Sequence, residues 1–491
     1  MPATDLPHAA PALPDHGAHL IDGVDEPPPL DGGVAEDPNT GLPSHTRRYS
    51  APAQVDAALQ AAFAAWGHGS GRWSALPVRE RQAALTRLAS ALDERTDALA
   101  RLHAEEVGIP IDVARLFAGG LPGLVEEISA AAGATPTDVL SRDGRRVELR
   151  RLPWGPAALM ASWNAPAFVC VSKLATALAT GCPAVLKPSE HTVRSAELLV
   201  EALRAAELPA GAAQVVSGDA AVGQQLAASS RIRFISYTGG TGGGRAVARA
   251  AIDRMAALQL ELSASNPAIV LADADLDTTA FELVRGQTAL NGQWCEAPRR
   301  TFVPRALHDE LVERLAAACG ELIAGDARER GVELGPLAYR AHRERVREQL
   351  AGIAGAGTVL ETLAVPSAGF FVPPTIVSGL PLDAVDEEIF GPILTVHPYD
   401  DVEHAIAAAN RLDDGLAGYV FGADADAAFD VGTRIHAGEV RVGGVHILDL
   451  VPASAQSFWG TSGYGGHGRG DTVAAHLGQR IVGEDDPSLP L

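Results

Sequence analysis

Four cysteines, Cys170, Cys182, Cys295 and Cys319, are scattered along the 491 residues with neither a CxxC pair nor metal-ligand spacing. That distribution argues against a disulfide framework and against a zinc site, and no metal is expected. A solitary cysteine is more often a small buried hydrophobe than a nucleophile. Cys295 differs in its neighbours: Gly292 and Gln293 precede it, and Ala297 and Pro298 follow, a loop composition that would present the thiol. A thiolate there could attack a carbonyl carbon, provided that the site lowers its pKa or pairs it with a base. Glu261, 34 residues upstream in the Leu260, Glu261, Leu262 segment, is the candidate to activate the water that frees the product.

Two further constellations point to a cofactor. Leu186, Lys187, Pro188, Ser189 and Glu190 follow an apolar strand pattern. An ammonium donates and a carboxylate accepts at one short turn, which suits ribose hydroxyls, and Glu190 would repel a 2′-phosphate. The same pentapeptide also reads as a solvated turn with an ordinary ion pair. Thr238, Gly239, Gly240, Thr241, Gly242, Gly243 and Gly244 stand between an apolar strand and an Ala-rich helix. Glycines allow close backbone approach, and a helix N-terminus offers N–H groups to a pyrophosphate. This is neither a GxGxxG fingerprint nor a P-loop, and a flexible turn is the alternative.

The formal charge of −22 opposes a nucleic-acid surface. The arginines Arg145, Arg146, Arg150 and Arg151 alternate with Val147 and Leu149 and read as a strand. No membrane partner is expected, because no long uncharged apolar run appears, and the N-terminus lacks the pattern of a standard export signal. Together with the isolated cysteines this points to the cytoplasm.

The elements that must position these residues follow from periodicity. Residues 1–17 read as a disordered lead. Helices are expected at 55–66, 78–106 and 112–132. From residue 156 short apolar strands (157–161, 184–186, 213–216, 233–237, 257–262) alternate with helices (169–180, 195–206, 221–228, 243–253). A second alternating block spans 300–442, with helices near 307–323, 341–353, 402–410 and 425–436. The fold class is therefore α/β: a mostly parallel, doubly wound sheet whose ligands sit outside the strands' carboxyl ends, followed by a second α/β domain.

Six motifs in register then give the chain a close resemblance to the aldehyde dehydrogenase superfamily over residues 37–469. Ser162, Trp163, Asn164, Ala165 and Pro166 are similar to its PWNxP segment, and Lys187 to Glu190 to its KPSE. Gly239 to Gly244 resemble its GxxxxG loop and Glu261 with Leu262 its ELGG. Gly292 to Cys295 match GQxC, and Glu387 to Pro392 match EEIFGP. The resemblance implies a Rossmann-like cofactor domain (18–134 and 154–262), an α/β catalytic domain (263–456) and a small bridging element with the C-terminal tail (135–153 and 457–491). It implies that Cys295 adds to an aldehyde, that the Asn164 amide and the Cys295 N–H hold the oxyanion, and that Glu261 serves hydrolysis. Lys187, Ser189 and Glu190 would hold the adenosine ribose, Gly239 and Gly240 the pyrophosphate. Glu388, Phe390 and Trp163 would flank the nicotinamide end, with NAD preferred to NADP.

The implied partner is a small-molecule aldehyde, and the implied assembly a homodimer or a dimer of dimers, with the dimer favoured by a thin-looking last strand. Helical spacing after Asn164 directs Ala165, Phe168, Val169 and Ser172 toward a roomy substrate entry, with Trp294 and Trp459 as aromatic walls. Glu296, next to the nucleophile, would either face an amine-bearing substrate or turn away. The chain departs from the family where Ser263, Ala264 and Ser265 follow Glu261–Leu262, and where Gly463 and Gly470 replace the usual Lys and Glu of the C-terminal segment. Two rivals stand beside hydrolytic oxidation: a CoA-acylating relative and a catalytically silent protein on the same fold.

Overall fold

The computed structural model describes residues 13–24, 26–134, 138–142, 144–447, 450–451, 454–485 and 487. Its first seven-stranded sheet runs in the order His19–Leu20, Ala213–Val216, Ala184–Lys187, Ala157–Met160, Phe234–Thr238, Ala257–Glu261, Gly463–Tyr464. The five inner strands are parallel and the two outer ones antiparallel to their neighbours. Alternate residues of each inner strand feed opposite cores. Leu159, Leu186 and Phe234 pack among the helices Val78–Asp93, Ile111–Gly133 and Pro166–Thr180, while Met160, Val185 and Ile235 pack toward Pro52–Trp66. Helices on both faces explain why these strands read as continuous apolar runs.

From Ala157–Met160 the chain steps outward to Ala213–Val216, then returns to the other side of its starting strand for Phe234–Thr238. That reversal opens a crevice at the strands' carboxyl ends, the place where a doubly wound sheet binds its ligand. Ser162 to Asn164 follow one bordering strand, Gly239 to Gly242 follow the other, and Glu261 ends the next strand out.

The second seven-stranded sheet takes its strands from residues 267–442 and is parallel except at Thr358–Glu361. A three-stranded sheet joins Asp138–Arg142, Arg145–Pro153 and Leu477–Gly483. The arginine-rich run is thus a strand, and Glu148 between Arg146 and Arg150 accepts from both guanidinium groups.

Three expectations are corrected here. Residues 1–12 lie outside the described residues, but the lead ends before residue 17. Asp15–His16 is a strand beside Pro43–Tyr49, and Glu197 accepts from the Gly17 N–H and pairs with His16. The helix expected at 78–106 is two, Val78–Asp93 and Thr96–Val107, because Arg95 leaves helical geometry between them. The last strand is not thin: Leu477–Gly483 pairs with Arg145–Pro153 over seven residues.

The segment before that strand does not belong wholly to the bridging sheet. Trp459–Gly460 pairs with Asp414–Gly415, and Gly463–Tyr464 closes the first sheet against Leu260 and Glu261. Gly463 makes this closure fit. Its φ of +144° disfavours other residues, and a Cβ there would lie 1.8 Å from the Leu260 carbonyl oxygen. Gly463→Ala is expected to cost about 1–3 kcal/mol, read as a lower thermal midpoint together with faster proteolysis within residues 457–476.

Candidate active site

Cys295 lies on a loop whose shape is enforced carbonyl by carbonyl. Arg299 Nη2 donates to the carbonyls of Gly292 and Trp294, at 2.9 Å each. The Asn164 amide donates to Gln293 at 2.9 Å, Asn266 donates to Cys295 at 2.8 Å and to Ala297 at 2.9 Å, and the Tyr419 hydroxyl donates to Glu296. Just upstream, Leu290 and Asn291 hold positive φ angles of 50° and 60°. Such strain persists only where the surroundings over-determine it. Asn291 donates to Gly108 and Pro336 and accepts from the Gly335 N–H, so its conformation is fixed from three sides. Gly292, at φ +75°, packs against Gly391 so closely that a Cβ would fall 2.2 Å from its carbonyl carbon.

The loop delivers the Cys295 thiol to Glu261, with Sγ donating to Oε1 at 3.6 Å, and Thr238 Oγ1 donates to the other carboxylate oxygen at 3.4 Å. Burial pushes the thiol pKa well above its ordinary value, and the charges of Glu261, Glu296 and Glu388 add to the effect. At rest Cys295 is therefore a thiol, with a carboxylate already in contact. Ser162 Oγ donates to Asn164 Oδ1 at 2.7 Å, which orients the amide with its N–H groups toward the nucleophile loop.

Cys295, Glu261 and Asn164 line a cavity of about 780 Å³, together with Trp163, Gly239, Gly240, Glu388 and Phe390. The residues fit a dinucleotide on two observations. Gly240 caps the Thr241–Ile252 helix, and Cβ positions built on Gly240 and Gly242 meet open space, so a phosphate could approach the helix N-terminus. Glu388 is half-buried and 3.8 Å from Arg299, and its Oε1 is buried with no hydrogen-bond partner among the described residues. A sugar hydroxyl would supply one. Trp163 stands edge-on to Phe390 and Tyr339, and Arg299 lies 5.4 Å over the Phe390 ring.

Lys187, Ser189 and Glu190 stand on the neighbouring strand end rather than in this cavity. Lys187 is buried and 3.6 Å from Glu190, and Ser189 Oγ accepts from the His191 N–H at 3.3 Å.

The seven residues expected around the substrate are not in the cavity lining. Ala165, Phe168, Val169 and Ser172 share the outward stripe of the Pro166–Thr180 helix and its cap, with Phe168 edge-on to Phe117. Trp294 is no aromatic wall: where Cys295 faces the cavity its chain neighbours face elsewhere, and Trp294 is buried in the main core. Glu296 also turns away from the cavity, toward Gln456 and His467. Trp459 sits on its two-residue ribbon, 42% exposed and edge-on to His436.

Sequence reasoning missed Arg299, Lys173, Tyr339 and His342. Arg299 ties the loop, and Lys173 donates to Ser236 at 2.6 Å, its pKa lowered to about 8 by burial despite the pull of Glu261. Tyr339 and His342 line the cavity, and His342 bonds the Phe390 carbonyl oxygen at 2.7 Å. One signal was available: Lys173 is the single charge in a mostly apolar helix, and such a charge is seldom buried without a task.

Burial raises the Glu388 pKa to about 7 against the opposing pull of Arg299 and a hydrogen bond with Ser263. Its carboxylate is the form that accepts from a sugar hydroxyl. The affinity for a dinucleotide whose sugar met Glu388, measured by quenching of tryptophan fluorescence, should therefore weaken as pH falls through 7, by up to about tenfold per pH unit. Glu388→Gln should remove that pH dependence.

Residues 34–482 match the model of the aldehyde dehydrogenase family. The chain is 33% identical over 455 residues to 4-(hydroxymethyl)benzenesulfonate dehydrogenase TsaD1 of Comamonas testosteroni, covering 91% of this chain and 94% of that one. In structure it is similar to aldehyde dehydrogenase C of Pseudomonas syringae, solved with NAD+ and octanal, with TM-score 0.87, 30% identity and coverage of 95% and 96%. It is similar also to an NADP-dependent enzyme of E. coli, with TM-score 0.90, 28% identity and coverage of 96% and 98%. With its α/β architecture and this cavity, the chain belongs to the aldehyde dehydrogenase family, oxidoreductases that act on the aldehyde group.

Proposed function

We propose that the protein oxidises an aldehyde to a carboxylic acid through a covalent adduct on Cys295, with NAD as the cofactor. The observation that carries this reading is the Cys295 Sγ to Glu261 Oε1 contact at 3.6 Å inside the shared cavity. Glu261 takes the thiol proton as sulfur adds to the carbonyl carbon, which converts an inert thiol into the nucleophile at the moment of attack. The oxyanion of the thiohemiacetal is held by the Asn164 amide and the Cys295 N–H. When bound, the nicotinamide cofactor supplies the hydride acceptor that makes oxidation to a thioester feasible. After passing that proton to solvent in the cavity that it lines, Glu261 takes a proton from the water that attacks the thioester, and the Cys295 sulfur leaves as the acid is released.

Retention of Glu261 beside the sulfur favours hydrolysis over transfer to CoA, since a thiol acceptor does not need a hydrolytic base. Lys187, Ser189 and Glu190 are assigned to the adenosine ribose, Gly239 and Gly240 to the pyrophosphate, and Trp163, Glu388 and Phe390 to the nicotinamide end. The Glu190 carboxylate at that strand end supports NAD over NADP, because it would repel a 2′-phosphate. The open stripe of Ala165, Phe168, Val169 and Ser172 is the proposed approach for substrate.

The exposed Val139, Ile481 and Val482 on the three-stranded sheet favour a homo-oligomer. The cytoplasm is the proposed location. All four cysteines are free, and among the described residues no helix is long and apolar enough to cross a membrane.

Stopped-flow detection of NADH over an aldehyde panel, with the product identified by mass, tests the reading. Cys295→Ala should abolish the signal. Glu261→Gln should slow steady turnover by about 10²–10⁴-fold. The wild type should release free acid without CoA, and an acyl-CoA product formed only when CoA is present would overturn the hydrolytic assignment.

A further inference from the structure

A second cavity, of about 420 Å³, is lined by the strands Leu30–Glu36 and Pro43–Tyr49, the end of the Thr96–Val107 helix and the start of the Arg340–Ala354 helix. The reaction above does not use it. Of the residues lining the first cavity it shares Tyr339 alone, and the His191 ring lies parallel to Tyr339 at 3.9 Å.

Two side chains in its lining have unmet hydrogen bonds. Successive residues of a strand face opposite ways, so His45 and Arg47 leave the Pro43–Tyr49 strand on one face. His45 is 4% exposed. Its Nδ1 meets Ser44 Oγ at 3.2 Å, and its Nε2 has no hydrogen-bond partner among the described residues. Arg47 Nη2 donates to the Val34 carbonyl at 2.8 Å, but its buried Nε has no partner, and no carboxylate among the described residues pairs with it. A guanidinium only donates, and a buried donor left unmet is costly, so what belongs beside it is an acceptor.

Four carboxylates share the lining, and each is already committed. Glu36 accepts from Arg340, Glu105 pairs with Arg194 at 2.9 Å, and Glu344 accepts from Arg343. Glu106 accepts from the Arg194 and Ser195 N–H groups at 2.8 and 3.0 Å, and from the Ser195 hydroxyl, where the Val193–Ala205 helix begins. Glu190, which feels the Arg47 charge from farther off, is paired with Lys187. The Arg47 charge is thus left without an answering group. Val34, Ala35, Ala338, Ala341 and Phe370 make part of the remaining wall apolar, and the volume exceeds what a bare ion would fill.

We propose that this second cavity is a binding site for a small organic anion, whose carboxylate or phosphate is taken by Arg47 and His45. The guanidinium fork suits either head group, the imidazole adds a hydrogen bond, and the apolar wall receives the rest of the molecule. The site stands apart from the catalytic cavity and does not depend on the function proposed above.

The test is calorimetric titration of the full-length protein with benzoate and, separately, with inorganic phosphate. NAD is held at saturation, so that the first cavity, including the start of the Thr241–Ile252 helix, is already occupied. At least one probe should bind saturably, with a dissociation constant of about 1 mM or tighter. Arg47→Gln should weaken that binding about tenfold or more, and His45→Gln about three- to tenfold. Saturation by benzoate alone, by phosphate alone or by both, if lost with Arg47→Gln, supports the site and identifies its head group. Absence of saturable binding by either probe, or binding that Arg47→Gln leaves unchanged, would overturn the proposal. Should Arg47→Gln not fold, His45→Gln decides, because wild-type affinity in that variant contradicts the site.

Discussion

The site depends on one physical requirement: the chain around Cys295 must keep its carbonyl oxygens away from the place where a carbonyl substrate becomes an oxyanion. An unconstrained loop would point some of these dipoles inward and repel the developing charge. Here the carbonyls of residues 292–297 are each engaged by Arg299, Asn164, Asn266 or Tyr419. The donors come from the first sheet's crevice, the start of two strands of the second sheet and the strand next to that sheet's edge. The loop is thus shaped by the contact of the two large sheets and could not be built by either alone. Arg299 also ties the loop to its own sheet, since its other guanidinium nitrogen bonds the Gly391 carbonyl on the loop that carries Glu388 and Phe390.

A site so enclosed has an electrostatic cost. Three carboxylates, from Glu261, Glu296 and Glu388, surround one thiol, and all oppose its ionisation. A protein that held the thiolate permanently would risk oxidation or alkylation of an exposed sulfur. Holding a neutral thiol against a carboxylate ties deprotonation to attack. The strain at Leu290 and Asn291 belongs to the same design, because it fixes the direction in which the loop reaches the cavity.

Much of this was legible in the sequence, and for a physical reason. Strand and helix periodicities located the parallel sheet because buried strands flanked by helices are continuous apolar runs. The residues proposed to meet a cofactor or a reacting atom lie at strand ends and helix starts, where Lys187, Gly239 and Glu261 interrupt such runs visibly. Side-chain direction within a tight turn was not legible. Trp294 and Glu296 flank the nucleophile in sequence, yet the turn sends them to the core and to Gln456. Nor could periodicity show that residues 457–476 return to two distant sheets, since pairing of two-residue strands leaves no pattern. The role of Arg299 was hidden likewise, because its partners are backbone carbonyls that any residue supplies.

The closure of the first sheet by Gly463 and Tyr464 also bears on how the protein is made. The strand ending at Glu261 leaves the ribosome roughly two hundred residues before the strand that covers its outer edge. At about 5–20 residues per second that edge waits on the order of 10–40 s with its N–H and C=O groups unpaired. An open strand edge is a template for pairing with another chain. The arrival of the C-terminal segment therefore ends the exposure of that edge at Leu260 and Glu261, and chains cut short before residue 463 should aggregate more readily than the full-length protein.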